Sequence, residues 1–427
     1  MRILENPGKE TWKGISLRPQ LELEYLDSTV KNILRRVRIS GDAALIEFTE
    51  QFDKIKVSAL GVPEREWVDA DRYLSEELKN AIRIAAKNIE TFHAAQRRDP
   101  VKIETMPGVV CWRKEVAIGK IGIYIPGGSA PLFSTVLMLG IPARLAGCKD
   151  VVLCSPPEKD GKVNPAILFA AKIAGISKVF AVGGAQAIAA LAYGTESIEA
   201  VDKIFGPGNQ FVTKAKQLVN LQGTAIDMPA GPSEVLVIAD GSADLSFVAS
   251  DLLSQAEHGP DSQVVVVTKY PLLIPKILEE IEKQVARLPR KEIARQALTN
   301  SLALVFSSDL EIIDFVNTYA PEHLIINAEN GDELADKIIN SGSVFIGPYT
   351  PESAGDYASG TNHTLPTNGY AKAYSGVSLE SFSKCITFQK ITTEGIKIIG
   401  PVVEAMASAE QLEGHGESIR VRLNALK

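Results

Sequence analysis

Five histidines stand in this chain of 427 residues, and four of them fall where active sites are commonly built. His258, His323, His363 and His415 lie at the ends of expected elements or in loops, from which scaffolds of strands and helices present functional groups. His93 instead follows the helically spaced apolar series Leu78, Ile82, Ala85, Ile89 and Phe92, and reads as structural. In Ser254-Gln255-Ala256-Glu257-His258-Gly259-Pro260, Gln255 and His258 are three positions apart at the end of an expected helix, so both side chains emerge on one face. Such a pair could offer an amide oxygen and an imidazole nitrogen to a divalent metal; it also fits a helix end whose His258 satisfies the last carbonyls. Asp356 and His415 could complete a mixed nitrogen and oxygen set suited to zinc, although spacing alone does not bring them together. In Ala320-Pro321-Glu322-His323-Leu324-Ile325-Ile326 a carboxylate and an imidazole head a short apolar strand. An imidazole titrating near neutrality is the usual proton acceptor for an alcohol, and a carboxylate beside it can orient it or activate water.

Three turns rich in glycine and proline are candidate ligand cradles: Pro126-Gly127-Gly128-Ser129-Ala130-Pro131, Phe205-Gly206-Pro207-Gly208-Asn209 and Met228-Pro229-Ala230-Gly231-Pro232-Ser233-Glu234. The first two end strands and precede helices, where free backbone N–H groups could hold a pyrophosphate or carboxylate; each also reads as a tight turn and nothing more. No G-x-G-x-x-G follows any strand, so the usual dinucleotide fingerprint is missing.

The elements that must position these groups change along the chain. The first hundred or so residues read as mainly helical. From about residue 116, short apolar runs alternate with helical segments, which indicates parallel sheet layered with helices. Expected strands are Ile121–Ile125, Val151–Cys154, Val179–Val182, Val235–Ile238, Val264–Thr268, Leu302–Phe306, His323–Ile326 and Val344–Ile346. Expected helices include Pro131–Gly147, Ala185–Tyr193, Asn209–Val219 and Leu245–Glu257. The two series, about 121 to 205 and 235 to 347, suggest a duplicated α/β unit, with no sequence repeat that proves it. Pro351 to Gly369 reads as a long loop, and loops of that length are usually functional. A last helix is expected over Glu394 to Leu412, stopped by Gly414 with His415 directly after it.

Composition excludes some classes. A hydrophobic fraction of 45%, a charged fraction of 23% and a net charge of −7 with interspersed signs give a globular chain without a basic stripe for nucleic acid. The charge-free run Ile121 to Ala143 is broken by Pro126, Gly127, Gly128, Pro131 and Pro142, and reads as core rather than a membrane span. The amino end shows no apolar signal region, and the four cysteines, Cys111, Cys148, Cys154 and Cys385, form no C-x-x-C pair. A cytoplasmic protein is expected.

Long stretches of this sequence resemble the L-histidinol dehydrogenase family. They include Tyr124 to Gly128 through Val136, Val182 to Ala187, Ile204 to Asn209, Asp227 to Glu234, Asp251 to Asp261, Pro321 to Leu324 and Pro351 to His363. The likeness covers nearly the whole chain and thins at the amino end. It implies zinc, one ion per subunit, held by Gln255, His258, Asp356 and His415. It implies Glu322 and His323 as the proton-handling pair, NAD contacts from Tyr124, Gln186 and Asn209, and substrate contacts from Ser233, Gln255, His258, His323, Asp356, Glu410 and His415, with His363 nearby. The fold implied is two related, incomplete Rossmann-like α/β units with parallel sheets, small helical terminal domains and an intertwined homodimer.

The expected domains are a segment 1–26, a zinc and substrate unit made of 27–123 with 233–377, an NAD unit 124–232 and a dimerisation unit 378–427. The reaction implied is oxidation of L-histidinol through the aldehyde to L-histidine with two NAD+, the last steps of histidine biosynthesis. A zinc-dependent hydrolase built on the same ligands is the competing expectation, and would need no nucleotide.

Overall fold

The structure is a computed structural model that describes residues 1–19, 23–127, 131–229 and 231–426. Gly128, Ser129 and Ala130 of the first turn and Ala230 of the third lie outside the described residues.

The alternation of apolar runs and helices resolves into two parallel sheets. The first has five strands, in the order Lys178–Ala181, Asp150–Ser155, Lys120–Tyr124, Lys203–Phe205, Ala225–Ile226. The second has six, in the order Arg2–Glu5, Leu302–Val305, Gln263–Thr268, Glu234–Ala239, His323–Asn327, Ser343–Ile346. Numbered within each sheet from Lys120–Tyr124 and from Glu234–Ala239, and leaving aside the added edge strand Arg2–Glu5, both run 3-2-1-4-5, which makes them two copies of one Rossmann-like topology. Every residue of Glu234–Ala239, Gln263–Thr268 and His323–Asn327 is buried, as valine- and isoleucine-rich strands require when helices cover both faces. The expected strands and helices all appear, within one or two residues of their expected ends except for the last helix, which ends three residues early at Ala409.

The amino-terminal third packs differently from the expected grouping of 27–123 with 233–377. Leu26, Val30, Ile33, Leu34, Leu45 and Phe48 of helix Leu23–Phe48 share a core with Tyr124, Ile188 and Val212, on the five-stranded unit. Ile82, Ala85 and Ile89 of helix Glu76–Ala94 join Val136, Met138 and Ile167 on its other face. The helices Phe133–Ala146 and Pro165–Ala174 are apolar on nearly all sides, so an outer layer must cover them. Residues 1–15 belong to the other unit: Arg2–Glu5 extends the six-stranded sheet, and Trp12 packs edge-on against Phe306 and Phe315 at 5.8 and 5.5 Å.

Strands Lys102–Met106, Val109–Ala117 and Ser383–Ile391 form a separate antiparallel sheet that the sequence did not announce. It carries an arm of two helices packed on each other, Thr393–Ala409 and Glu413–Asn424. Gly414 therefore does not stop the first of them. That helix ends at Ala409, Gln411 takes the left-handed turn at φ 59°, and Gly414 and His415 lie in the first turn of the second. The run Ile121 to Ala143 becomes a buried strand and most of a buried helix, and among the described residues no helix is long and apolar enough to cross a membrane.

Trp12, 5% exposed and donating its indole N–H to the Pro7 carbonyl at 2.9 Å, anchors the amino-terminal strand to the six-stranded unit. Trp12→Ala should cost about 3–5 kcal/mol in urea denaturation. A cost of about 0.5 kcal/mol, that of a surface change, would show that the segment only rests on the sheet.

Candidate active site

Residues 227 to 233 lead from the last strand of the five-stranded sheet to the first strand of the six-stranded one, so the carboxyl edge of one sheet meets the amino edge of the other. Two adjoining hollows lie along this seam. One, about 980 Å³, sits over the ends of Lys120–Tyr124 and Asp150–Ser155 and is lined by Tyr124, Pro126, Ser155, Gln186 and Asn209. The other, about 610 Å³, shares Pro126 and Asn209 and adds Ser233, His258 and Asp261.

The walls of the larger hollow are fixed by backbone needs. Tyr124 Oη accepts the N–H of Gly184 at 3.1 Å, and burial pushes its phenol up to about 12, so it stays neutral. Asn209 caps helix Gln210–Asn220, its Oδ1 accepting from the N–H groups of Phe211 and Val212 at 3.1 Å. The turn before it admits only glycine at Gly206: φ is +126°, and a Cβ there would lie 2.0 Å from the Tyr124 carbonyl oxygen. Asp227 accepts the Gly206 N–H, while Lys216 donates to the Gly206 carbonyl at 2.8 Å and pairs with Asp227.

At the amino edge of the six-stranded sheet, helix Asp309–Tyr319 ends in Ala320, at φ 54°, and the chain enters strand His323–Asn327 beside Glu234. The Glu234 backbone holds both members of the Glu-His pair. Its N–H donates to Glu322 Oε2 at 2.9 Å, and its carbonyl lies 3.3 Å from His323 Nδ1. A carbonyl can only accept, so Nδ1 carries a proton and Nε2 is the nitrogen left to titrate. Nε2 faces Asp356 Oδ1 at 3.4 Å; Nδ1 lies 3.7 Å from both Glu322 Oε2 and Glu352 Oε1. Burial pushes the Glu322 carboxyl up to about 8, against the pull of His323 and the Glu234 N–H. Burial alone would lower His323, but Glu352, Glu322 and Asp356 together hold it well above its ordinary value. Asp356 is itself held low by His323 despite its burial.

Glu352 was not among the expected site residues. The stretch read as loop begins with a short helix, Glu352–Tyr357, on which Glu352 and Asp356 are four apart and share a face. Pro351 before an acidic first turn was the signal available for it. Asp251, four before Gln255 on helix Leu245–Ala256, is likewise buried, and burial pushes its carboxyl up to about 7. His363 donates from Nδ1 to the Asp356 carbonyl at 2.7 Å, and its Nε2 meets Thr135 Oγ1 at 2.9 Å, tying the two α/β units together. His93 is fully buried, with Nδ1 bonded to the Ile89 carbonyl. Glu410 and His415 are not brought to the cluster: they lie exposed on the helical arm and line neither hollow.

Several buried ligand atoms in the cluster have no hydrogen-bond partner: both side-chain atoms of Gln255, His323 Nε2, Glu352 Oε2 and Asp356 Oδ1. Buried polar atoms are rarely left so, and their concentration in one place points to a missing group. One ligand atom each from His258, Glu352 and Asp356 lies within 4.8 Å of the others, the compass of a single ion. Imidazole, carboxylate and amide donors suit a borderline cation such as zinc.

The comparisons decide the family. The histidinol dehydrogenase family model matches residues 16–423. The chain is 57% identical over 427 residues to a histidinol dehydrogenase of Bacteroides thetaiotaomicron, covering 100% of each chain. The chain belongs to the histidinol dehydrogenase family. It is also 53% identical over 421 residues to the histidinol dehydrogenase of Escherichia coli strain K12, covering 98% of this chain and 96% of that one. The crystal structure of histidinol dehydrogenase from Elizabethkingia anophelis superposes with a TM-score of 0.97 at 54% identity, covering 100% of this chain and 98% of that one. Family membership makes the chain an NAD-linked oxidoreductase, and the reading as a zinc hydrolase finds no support.

A cation seated among the orphaned atoms must stabilise the fold by mass action. Zn2+ at a hundred times its dissociation constant should add about 2.7 kcal/mol, read as a rise in melting temperature. Asp356→Ala should lose most of that rise; an undiminished rise would place the cation elsewhere.

Proposed function

We propose that the chain oxidises L-histidinol through L-histidinaldehyde to L-histidine, reducing two NAD+ in succession, at the end of histidine biosynthesis. The observation that carries this reading is the buried Glu322–His323 pair set beside a knot of unsatisfied ligand atoms, with His258 of that cluster on the wall of the smaller hollow, which shares Pro126 and Asn209 with the larger one. NAD, bound against Tyr124, Gln186 and Asn209, supplies the hydride acceptor. Gln255, His258 and Asp356 would hold one zinc ion per subunit, which would supply a positive charge able to attract the imidazole and amine nitrogens of the substrate.

The remaining work falls to side chains of this protein. His323 Nε2, the nitrogen left to titrate by the Nδ1–H bond to Glu234, takes the hydroxyl proton as hydride leaves the carbinol carbon, once a cation that draws charge off Glu352 and Asp356 favours the neutral imidazole. The aldehyde must add water before a second hydride can leave. Glu322, whose carboxyl burial brings to about 8, takes that proton in its carboxylate form, the share of which grows as pH rises through about 8. Ser233 lines the wall of the smaller hollow and contacts the substrate in this reading. The four cysteines are free thiols, in keeping with the cytoplasm.

A homodimer completes this reading. His258 is exposed at the mouth of the smaller hollow, while Val402 and Met406 of the arm are 50% and 61% exposed. Apolar positions of that size on a projecting helical pair favour cover by a second copy. The arm, residues 378–427, then brings Glu410 and His415 to the partner's cluster as substrate contacts, with His415 as the remaining zinc ligand.

One histidinol should yield two NADH with little free aldehyde, measured by NADH absorbance against substrate consumed. Glu322→Gln should slow oxidation of supplied aldehyde more than the first hydride transfer, whereas His323→Ala should slow both by about 10²–10⁴-fold. One NADH per histidinol with released aldehyde would overturn the four-electron reading. Subunit mixing tests the shared site. Inactive His258→Ala and His415→Ala chains, mixed at random, should recover roughly a quarter of the normal activity per subunit; verified mixed dimers that stay inactive would rule out the exchange.

A further inference from the structure

Behind the Glu-His pair lies an ion pair that touches neither hollow. Glu234 has a fully buried carboxylate, and Arg18, with a side chain 4% exposed, grips it through two bonds: Nε to Oε2 at 2.5 Å and Nη2 to Oε1 at 2.9 Å. The guanidinium stacks 3.6 Å from the centre of the Tyr319 ring, and also donates to the carbonyls of Ser16 and Tyr319. Tyr319 in turn donates its hydroxyl to Gln263 Oε1 at 2.7 Å. One side chain from the amino-terminal segment thus clamps the start of strand Glu234–Ala239 to the end of helix Asp309–Tyr319. The link between that helix and the catalytic strand is only Ala320, Pro321 and Glu322.

Glu234 passes this constraint on through three groups. Its carboxylate Oε1 accepts the Glu322 N–H at 3.3 Å, its N–H donates to the Glu322 carboxylate, and its carbonyl accepts from His323 Nδ1. We propose that Arg18 and Glu234 are positioning residues for the reaction: the bidentate pair sets the register of Glu322 and His323 against the cluster, rather than merely stabilising the fold. The inference rests on the reading of Glu322 and His323 as the proton-handling pair. It explains why a buried ion pair is placed here at all. Such pairs contribute little net stability compared with apolar replacements, whereas a small displacement of a catalytic group costs rate steeply. Because Glu234 holds the imidazole by its carbonyl and the carboxylate by its N–H, losing the clamp should slow both hydride transfers by similar factors. Glu322→Gln should instead act mainly on the second.

The test uses the full-length, zinc-loaded protein with three variants: Arg18→Lys, which keeps a charge but not the planar fork; Arg18→Met; and Arg18→Met combined with Glu234→Gln, which leaves no uncompensated charge. Melting temperature, bound zinc, kcat and KM for histidinol and NAD are measured for each, with histidinol and the aldehyde as alternative substrates. Arg18→Lys is expected to lower kcat by up to about 10²-fold for both substrates, with KM values and zinc content unchanged. The double variant should regain most of the melting temperature lost by Arg18→Met and still keep a low kcat. Normal kcat in Arg18→Lys or in the folded double variant overturns the inference, as does a loss of activity that only follows the loss of folded, zinc-loaded protein. If the double variant does not fold, Arg18→Lys decides alone. Glu322→Gln, assayed in parallel, separates the two levels: normal activity there defeats the proton-handling reading itself, while an impaired Glu322→Gln beside a normal Arg18→Lys defeats only the positioning role.

Discussion

Five acidic side chains, Glu234, Asp251, Glu322, Glu352 and Asp356, converge at one edge of a parallel sheet, and four of them are buried outright. Each brings a desolvation cost that the surrounding structure has to meet. Glu234 has the guanidinium of Arg18, Glu322 has the backbone N–H of Glu234, and Asp356 has the imidazole of His323. Glu352 and Gln255 retain atoms that no side chain meets. Much of the local architecture serves this balance: the amino-terminal strand that brings Arg18 inward, the left-handed Ala320, and the short helix that sets Glu352 beside Asp356. A divalent cation would withdraw negative charge from His323 and ease its role as a proton acceptor.

The two sheets share one strand order but place their sites at opposite edges. In open α/β sheets ligands usually bind beyond the carboxyl ends, at the point where strand order reverses. The five-stranded sheet follows this rule, with its hollow over Tyr124 and the turn after Phe205. The six-stranded sheet uses the amino ends of the two strands at its own reversal point, Glu234–Ala239 and His323–Asn327. The short connection through residues 227 to 233 brings those opposite edges together, so a hydride donor on one unit can face an acceptor on the other. Without a Gly-rich fingerprint, the wall of the larger hollow depends on Asn209 capping a helix and on Gly206 passing under the Tyr124 carbonyl.

The carboxyl-terminal arm answers to a different constraint. Strand Ser383–Ile391 pairs along its whole length with Val109–Ala117, yet all but its first residue are exposed. A hairpin of helices on such a stalk gains little from its own chain beyond mutual packing, and the apolar groups it shows outward are better satisfied by a second surface. The same geometry carries Glu410 and His415 away from the cluster of their own chain.

What the sequence by itself determined is what repeats locally. Valine and isoleucine runs marked the buried strands, helical spacing marked their covering helices, and Gln255 with His258, three apart at a helix end, were legible as groups on one face. Family-length motifs named the chemistry. Helix boundaries near glycine were less secure: Gly414 read as a stop but lies in a first helical turn, because Gln411 takes the left-handed conformation instead. Only the tertiary structure decided that the amino-terminal helices cover the five-stranded unit, since either sheet offers an apolar face that would accept them. It alone added Glu352, hidden in a stretch read as loop, and joined Arg18 to Glu234 across 216 positions of chain. Periodicity records which face of an element is buried; it holds no record of which distant charge will be buried against it, because that choice is made by the desolvation cost of the assembled core.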